Sequence, residues 1–145
     1  MVPAAALAAE LMKRGHRVAL VSDERGVRFP GLFEGVQTHI IPAGRDGRNP
    51  ILWAKAAKSI WDGRAMAMRL FETFRPAAVI GFGGYPALPA LLAAFSAKVP
   101  TAVHEQNAVL GRVNRLVAGK VDAIATSYAS VQRLAVGYRD KTHLV

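Results

Sequence analysis

Two short segments carry the residue types from which a binding site for a phosphorylated ligand can be built. Gly81-Phe82-Gly83-Gly84-Tyr85-Pro86 lies between an apolar run and a helix-favouring run. Glycine there lets the backbone approach a ligand closely, and the start of the following helix favours negative charge. A diphosphate is the ligand such a loop accepts; a tight strand-to-helix turn that binds nothing is the competing reading, and spacing alone does not separate the two. His104-Glu105-Gln106-Asn107 sets four polar side chains at the end of a second apolar run, on the edge where open α/β sheets bind ligands. Here too a structural role competes: a hydrogen-bonded histidine, with Asn107 and Gly111 shaping a turn that caps the next helix.

Several chemistries are excluded or left without support. After Gly81-x-Gly83 the position that needs a third glycine for a dinucleotide fingerprint is Pro86, and no acidic residue closes the strand before His104-Glu105, so a nicotinamide cofactor is not expected. Asp23 and Glu24 follow a strand, as a ribose-binding acid would, but read more simply as solvated charges. No Asp-x-Asp pair occurs, and His16, His39, His104 and His143 are too scattered for a zinc motif, so no metal is expected. Cysteine is absent, which removes disulfides and thiolate chemistry. The formal charge of +9, from 19 Lys and Arg against 10 Asp and Glu, favours anionic partners. Nucleic acid has only that charge in its favour and is not expected.

A third segment is cationic and apolar together. Arg45, Arg48, Lys55, Lys58, Arg64 and Arg69 stand against Asp46 and Asp62, interleaved with Ile51, Leu52, Trp53, Trp61, Met66 and Met68. Tryptophan and lysine in that mixture suit a lipid headgroup region, so Ile51, Leu52, Trp53, Lys55, Lys58, Trp61 and Arg64 are the expected contacts with an anionic membrane surface. The plainer alternative puts Trp53, Ala57, Ile60, Leu70 and Phe74 in the core and leaves the lysines as a wet face.

These segments need a frame. Pro3 to Arg14 reads as a helix with proline at its start and Gly15 at its C-cap, followed by a buried strand at Arg17 to Val21. A strand at Val36 to Ile41, a polar loop from Pro42 to Pro50 and a long helix from Ile51 to Phe74 come next. Ala78 to Phe82 is a strand, Pro86 to Ala97 a helix, Pro100 to His104 a strand, Val109 to Ala118 a helix, and Ala123 to Thr126 the last strand read. The alternation predicts an α/β domain with a doubly wound, parallel, Rossmann-like sheet. With 145 residues, 52% of them hydrophobic, one domain with a packed core is expected. No stretch reaches the roughly 20 apolar residues of a membrane span, and no basic residue precedes the opening apolar run as in a secretory signal. Because the first element is a helix, where a doubly wound domain opens on its central strand, the chain is expected to lack that first strand.

Together, Gly81-Phe-Gly-Gly-Tyr-Pro86 and His104-Glu-Gln-Asn-Ala-Val-Leu-Gly-Arg-Val-Asn-Arg115 resemble two motifs of the MurG family of glycosyltransferases, and Pro3 to Val18 resembles that family's first helix and second strand. The resemblance implies the N-terminal, acceptor- and membrane-side half of a two-domain GT-B enzyme, residues 1–145, without its C-terminal donor-binding domain. The implied reaction is inverting transfer of N-acetylglucosamine from UDP-N-acetylglucosamine to an undecaprenyl-diphosphate-linked muramoyl-pentapeptide, on the cytoplasmic face of the inner membrane and without a cofactor. By the same resemblance Gly81, Gly83, Gly84 and Tyr85 receive the acceptor's diphosphate, Glu105 makes acceptor or structural contacts, and Asn107 touches the donor. Ala87 stands where many relatives carry serine, which leaves that contact to the backbone. The family's glycine loop with its histidine would precede Met1, so no catalytic residue is assigned and the chain alone is expected to be inactive. The alternative is a non-catalytic, membrane-docking acceptor module completed by a separate donor-binding chain.

Overall fold

The computed structural model describes residues 1–24, 26, 28, 31–43 and 50–145. Helix α1 (Val2–Lys13) carries Pro3 in its first turn and ends in a Schellman motif: the His16 amide bonds Leu11 O, the Gly15 amide bonds Met12 O, and Gly15 takes φ +83°. Strand β1 (Ala19–Ser22) then pairs in parallel with β2 (Gln37–Ile40), in register Ala19 with Gln37. A second parallel sheet holds β3 (Val79–Gly81), β4 (Thr101–Glu105), β5 (Ala123–Thr126) and β6 (Thr142–Leu144), in that order.

The expected α/β architecture is therefore present, with the strands in two parallel sheets in place of one continuous sheet. Between the sheets lies a cavity of about 610 Å³, lined on one side by Leu20 and Ser22 of β1 and on the other by Val79 and Ile80 of β3, with Met1 and Phe74 closing it. Strand β6 was not among the strands read from the sequence; three residues without an apolar run leave no signature, and its pairing of Ile124 with Thr142 is a tertiary event.

Helix α2 (Pro50–Phe74) is 25 residues long and α3 (Leu88–Ala97) is 10. At 1.5 Å per residue they measure about 38 and about 15 Å, so α2 overhangs its partner. They meet where the longer helix is smallest: Gly63 and Ala67 are buried, and a Cβ on Gly63 would lie 3.1 Å from Pro89 Cβ of α3 and clash with Pro42 O of the segment after β2. The overhang explains why the core stripe read through Trp53 and Ala57 is not found. By spacing Trp53 falls on the same side as Ile60 and Ala67, yet it and Ala57 are exposed, while Ile60, Leu70 and Phe74 are half-buried. Arg45 and Arg48, with most of the polar loop between Pro42 and Pro50, lie outside the described residues.

The main core is formed by Leu88 and Leu91 of α3, Val103 of β4, Val113 and Val117 of α4 (Arg112–Val117), Val121 and Ile124. Strand β4 is the pivot. It is paired on both edges, and Thr101, Val103, His104 and Glu105 are all buried, as a central parallel strand requires. Asp122 fixes its start: the Thr101 amide and hydroxyl both donate to Asp122 Oδ2, at 2.8 and 3.1 Å, and these bonds hold the Asp122 carboxyl below its ordinary range.

Candidate active-site cleft

The glycine segment leaves the carboxyl end of β3 and enters a short 3-10 helix (Tyr85–Ala87) that runs into α3. Gly81 is required by packing, since a Cβ there would come within 2.8 Å of Leu91 Cδ1. Gly83 and Gly84 are required by conformation: φ is +76° and +73°, a region costly for any side chain. Two consecutive left-handed residues turn the chain sharply over the sheet edge, and Pro86 and Pro89 suit the helical turns that follow. The loop is thus open in front and tightly defined behind, with Gly84 exposed and Gly81 buried.

At the end of the neighbouring β4 stands Glu105, 1% exposed. Its Oε1 accepts from the Asn107 amide at 3.1 Å and from Asn107 Nδ2 at 2.8 Å. Its Oε2 accepts from the Gly111 amide at 2.8 Å and from Asn114 Nδ2 at 2.9 Å. Burial pushes this carboxyl's pKa up, but the four bonds from Gly111, Asn114 and Asn107 outweigh it, and the net shift is downward: Glu105 is a buried, ionised, fully bonded carboxylate. Of the two roles left open for it, the structural one is what these contacts describe. Asn107 is exposed, and its side-chain nitrogen gives one of its two hydrogens to Glu105.

His104 points to the other face of β4. Its ring lies 5.5 Å from that of Phe82, with Nδ1 facing Gln106 Oε1 at 3.4 Å and Nε2 facing Ser127 Oγ at 3.3 Å. Both ring nitrogens have partners within the fold, so this histidine braces the end of β4. Among the described residues no group of three or more His, Cys, Asp or Glu could hold a metal ion.

One residue of this site was not singled out from the sequence. Asn114, 1% exposed on α4, donates to His104 O at 3.1 Å and to Glu105 Oε2, and its carboxamide lies beneath Gly83, where a Cβ would sit 3.4 Å from Nδ2 and 3.6 Å from Oδ1. The signal was available: Leu110, Val113 and Val117 form a helical apolar stripe, and Asn114 is a polar residue beside it. Through Asn114 and Glu105 the structure brings Gly83 and Asn107 into one assembly.

The cationic segment is elsewhere, on α2. Ile51, Leu52, Trp53 and Trp61 are exposed, the two tryptophans at 69% and 65%. Lys58 is paired with Asp62 at 2.6 Å, whereas Arg64 donates to Ser96 Oγ at 2.7 Å and stacks 5.0 Å over the Trp61 ring. Lys55 is exposed. No helix among the described residues is long and apolar enough to cross a membrane.

Comparison with known proteins bears on the family and the fold. The model of the glycosyltransferase family 28 N-terminal domain matches residues 1–126. A relative from Erythrobacter litoralis, named UDP-N-acetylglucosamine–N-acetylmuramyl-(pentapeptide) pyrophosphoryl-undecaprenol N-acetylglucosamine transferase, is 59% identical over 145 residues, covering 100% of this chain and 36% of the relative. One of the same name from Zymomonas mobilis subsp. mobilis is 62% identical over 144 residues, covering 99% of this chain and 37% of its own. The crystal structure of Acinetobacter baumannii MurG superposes with a TM-score of 0.75 at 25% identity, over 99% of this chain and 40% of that one. The chain thus spans little more than a third of the length of the relatives it matches.

Proposed function

This chain belongs to glycosyltransferase family 28, whose N-terminal domain it matches, and on that premise we propose that it is the acceptor-side domain of an N-acetylglucosaminyltransferase of cell-wall synthesis. The donor is UDP-N-acetylglucosamine and the acceptor an undecaprenyl-diphosphate-linked muramoyl-pentapeptide, the two substrates that the relatives' names carry. The observation that supports this most is the open loop of Gly81, Gly83, Gly84 and Tyr85 at the carboxyl edge of the sheet, coupled through buried groups to Asn107. Backbone amides at such a turn receive the acceptor's diphosphate without a metal, and Asn107 faces the donor sugar.

In the reaction the acceptor's C4 hydroxyl oxygen bonds to the anomeric carbon from the face opposite UDP. The carbon–oxygen bond to the diphosphate breaks with its electron pair leaving on UDP, and the hydroxyl proton passes to a base. The residues of this chain bind and orient the acceptor. The loop reading is tested by titrating the chain with a water-soluble, short-lipid analogue of the diphosphate acceptor. Saturable binding that weakens at least tenfold on Gly83→Val supports it, and equal affinity of the two proteins rejects it.

Membrane contact belongs to the same proposal. Exposed Ile51, Leu52, Trp53 and Trp61, with Lys55, Lys58 and Arg64 alongside, form a surface that suits anionic headgroups on the cytoplasmic face of the inner membrane. A peripheral position there brings the loop to a lipid-linked substrate.

A further inference from the structure

We infer that Glu105 and Asn114 are positioning residues that lock the glycine loop and Asn107 to one another, so that the two substrate-facing segments move as a unit. The two oxygens of the Glu105 carboxylate hold different segments. Oε1 holds Asn107 by its amide and its side chain, whereas Oε2 holds Gly111, the N-cap of α4, and Asn114. An ionised carboxylate accepts hydrogen bonds and donates none, so Asn114 can present only Nδ2 to it, and the second hydrogen of that nitrogen is taken by His104 O. The orientation of the carboxamide is therefore dictated by Glu105, and Oδ1 is turned away, buried and without a hydrogen-bond partner among the described residues.

An orphaned buried acceptor is a liability that an apolar residue of similar shape would not carry. What it accompanies is the placement of a flat carboxamide directly under Gly83, with Nδ2, Oδ1 and Cγ at 3.4, 3.6 and 3.8 Å from a Cβ built there. Gly83 and Gly84, both at positive φ, have no side chains of their own to fix the loop. Its floor is Asn114, and the floor's setting is Glu105.

This rests on the proposed function only for its consequence in catalysis; the coupling itself is a property of the free protein. The test uses the ¹⁵N-labelled chain without ligand, following the amide resonances of Gly83, Gly84, Asn107 and Gly111, with Gly15 and Gly119 reporting the fold. Asn114→Ala is expected to move Gly83 and Asn107 together. Should that buried variant fail to fold, Asn107→Ala, at an exposed position, is expected to move Gly83 across the cleft. Gly83 resonances unchanged in a folded Asn114→Ala or in Asn107→Ala overturn the coupling. With the chain joined to a donor-binding domain of the family, Asn114→Ala is expected to lower kcat/KM on the order of tenfold or more for donor and acceptor alike, because misplacement by 1 Å can cost about 100-fold. Coupled resonances with kcat/KM unaltered leave the positioning intact and refute the assignment of these segments to the substrates.

Discussion

Gly63→Ala opposes two forces of known sign. In an exposed helix interior, replacing glycine by alanine stabilises by about 1 kcal/mol through helix propensity. Here the added methyl would lie 2.1 Å from Pro42 O, about 1.3 Å inside the shortest ordinary contact of 3.4 Å, and 3.1 Å from the Cβ of Pro89. Neither neighbour can swing aside: one is the backbone carbonyl of Pro42, after β2, and the other the Pro89 ring of α3, so α2 must lift from both. Overpacking of this kind costs about 1–3 kcal/mol, and with a backbone obstacle the upper half of that range applies. The net expectation is a loss of about 1–2 kcal/mol, or a Tm lower by roughly 3–7 °C for a domain of this size. Thermal melts followed by circular dichroism, with urea titration for the free energy, read it directly. Gly15→Ala serves as comparator: at φ +83° with nothing within 4 Å, it should lose only the left-handed strain of about 1 kcal/mol. A Gly63→Ala protein that melts above the parent would refute the close approach of α2 to Pro42 and Pro89.

Other outcomes follow from the same structure. Leu91→Ala, at a fully buried position in the main core, should cost about 2–5 kcal/mol in urea titration. Lys98→Gly should stabilise by up to about 1 kcal/mol, since Lys98 sits at φ 54° in the Schellman motif that ends α3. Glu105 has its folded pKa below the ordinary 4.5, so its contribution is fully present above that value and lost as pH falls through the folded one. Glu105→Gln should therefore flatten the acid limb of stability below about pH 4.5 and, by turning donors onto a donor, cost about 3 kcal/mol at pH 7. Trp53→Ala with Trp61→Ala should shift stability by under about 1 kcal/mol yet weaken sedimentation with acidic phospholipid vesicles; undiminished sedimentation would remove the membrane contact.

Helix α1 was legible because its signals are local: Pro3 in the first turn, Gly15 at the end, helix-favouring residues between. The buried strands declared themselves by short apolar runs, which is why β4 was placed within a residue. Boundaries set by tertiary contacts were not readable. Helix α4 starts at Arg112, three residues after Val109, because the Gly111 amide is taken by Glu105, the Leu110 amide bonds Gln132 O, and Val109 bridges Gln132. Likewise the spacing of Trp53 is that of a core residue, and only the unequal lengths of α2 and α3 expose it. In the site, the glycines and the polar cluster were visible as residue types, but the burial of Glu105 was not: a carboxylate four times bonded looks the same in sequence as one facing a ligand. Asn114 was passed over for the converse reason, a single polar residue within a helix otherwise read for its apolar stripe.

On the proposed reading, this chain supplies the acceptor side of a sugar transfer. Its most direct test is transfer of labelled N-acetylglucosamine from UDP-N-acetylglucosamine to the undecaprenyl-diphosphate muramoyl-pentapeptide, by the chain joined to a donor-binding domain of the family, with and without Gly83→Val. Formation of the β-linked disaccharide lipid, abolished or reduced more than tenfold by the substitution, is the predicted result. Equal product from both proteins, while the donor domain alone gives the same yield, would contradict that role.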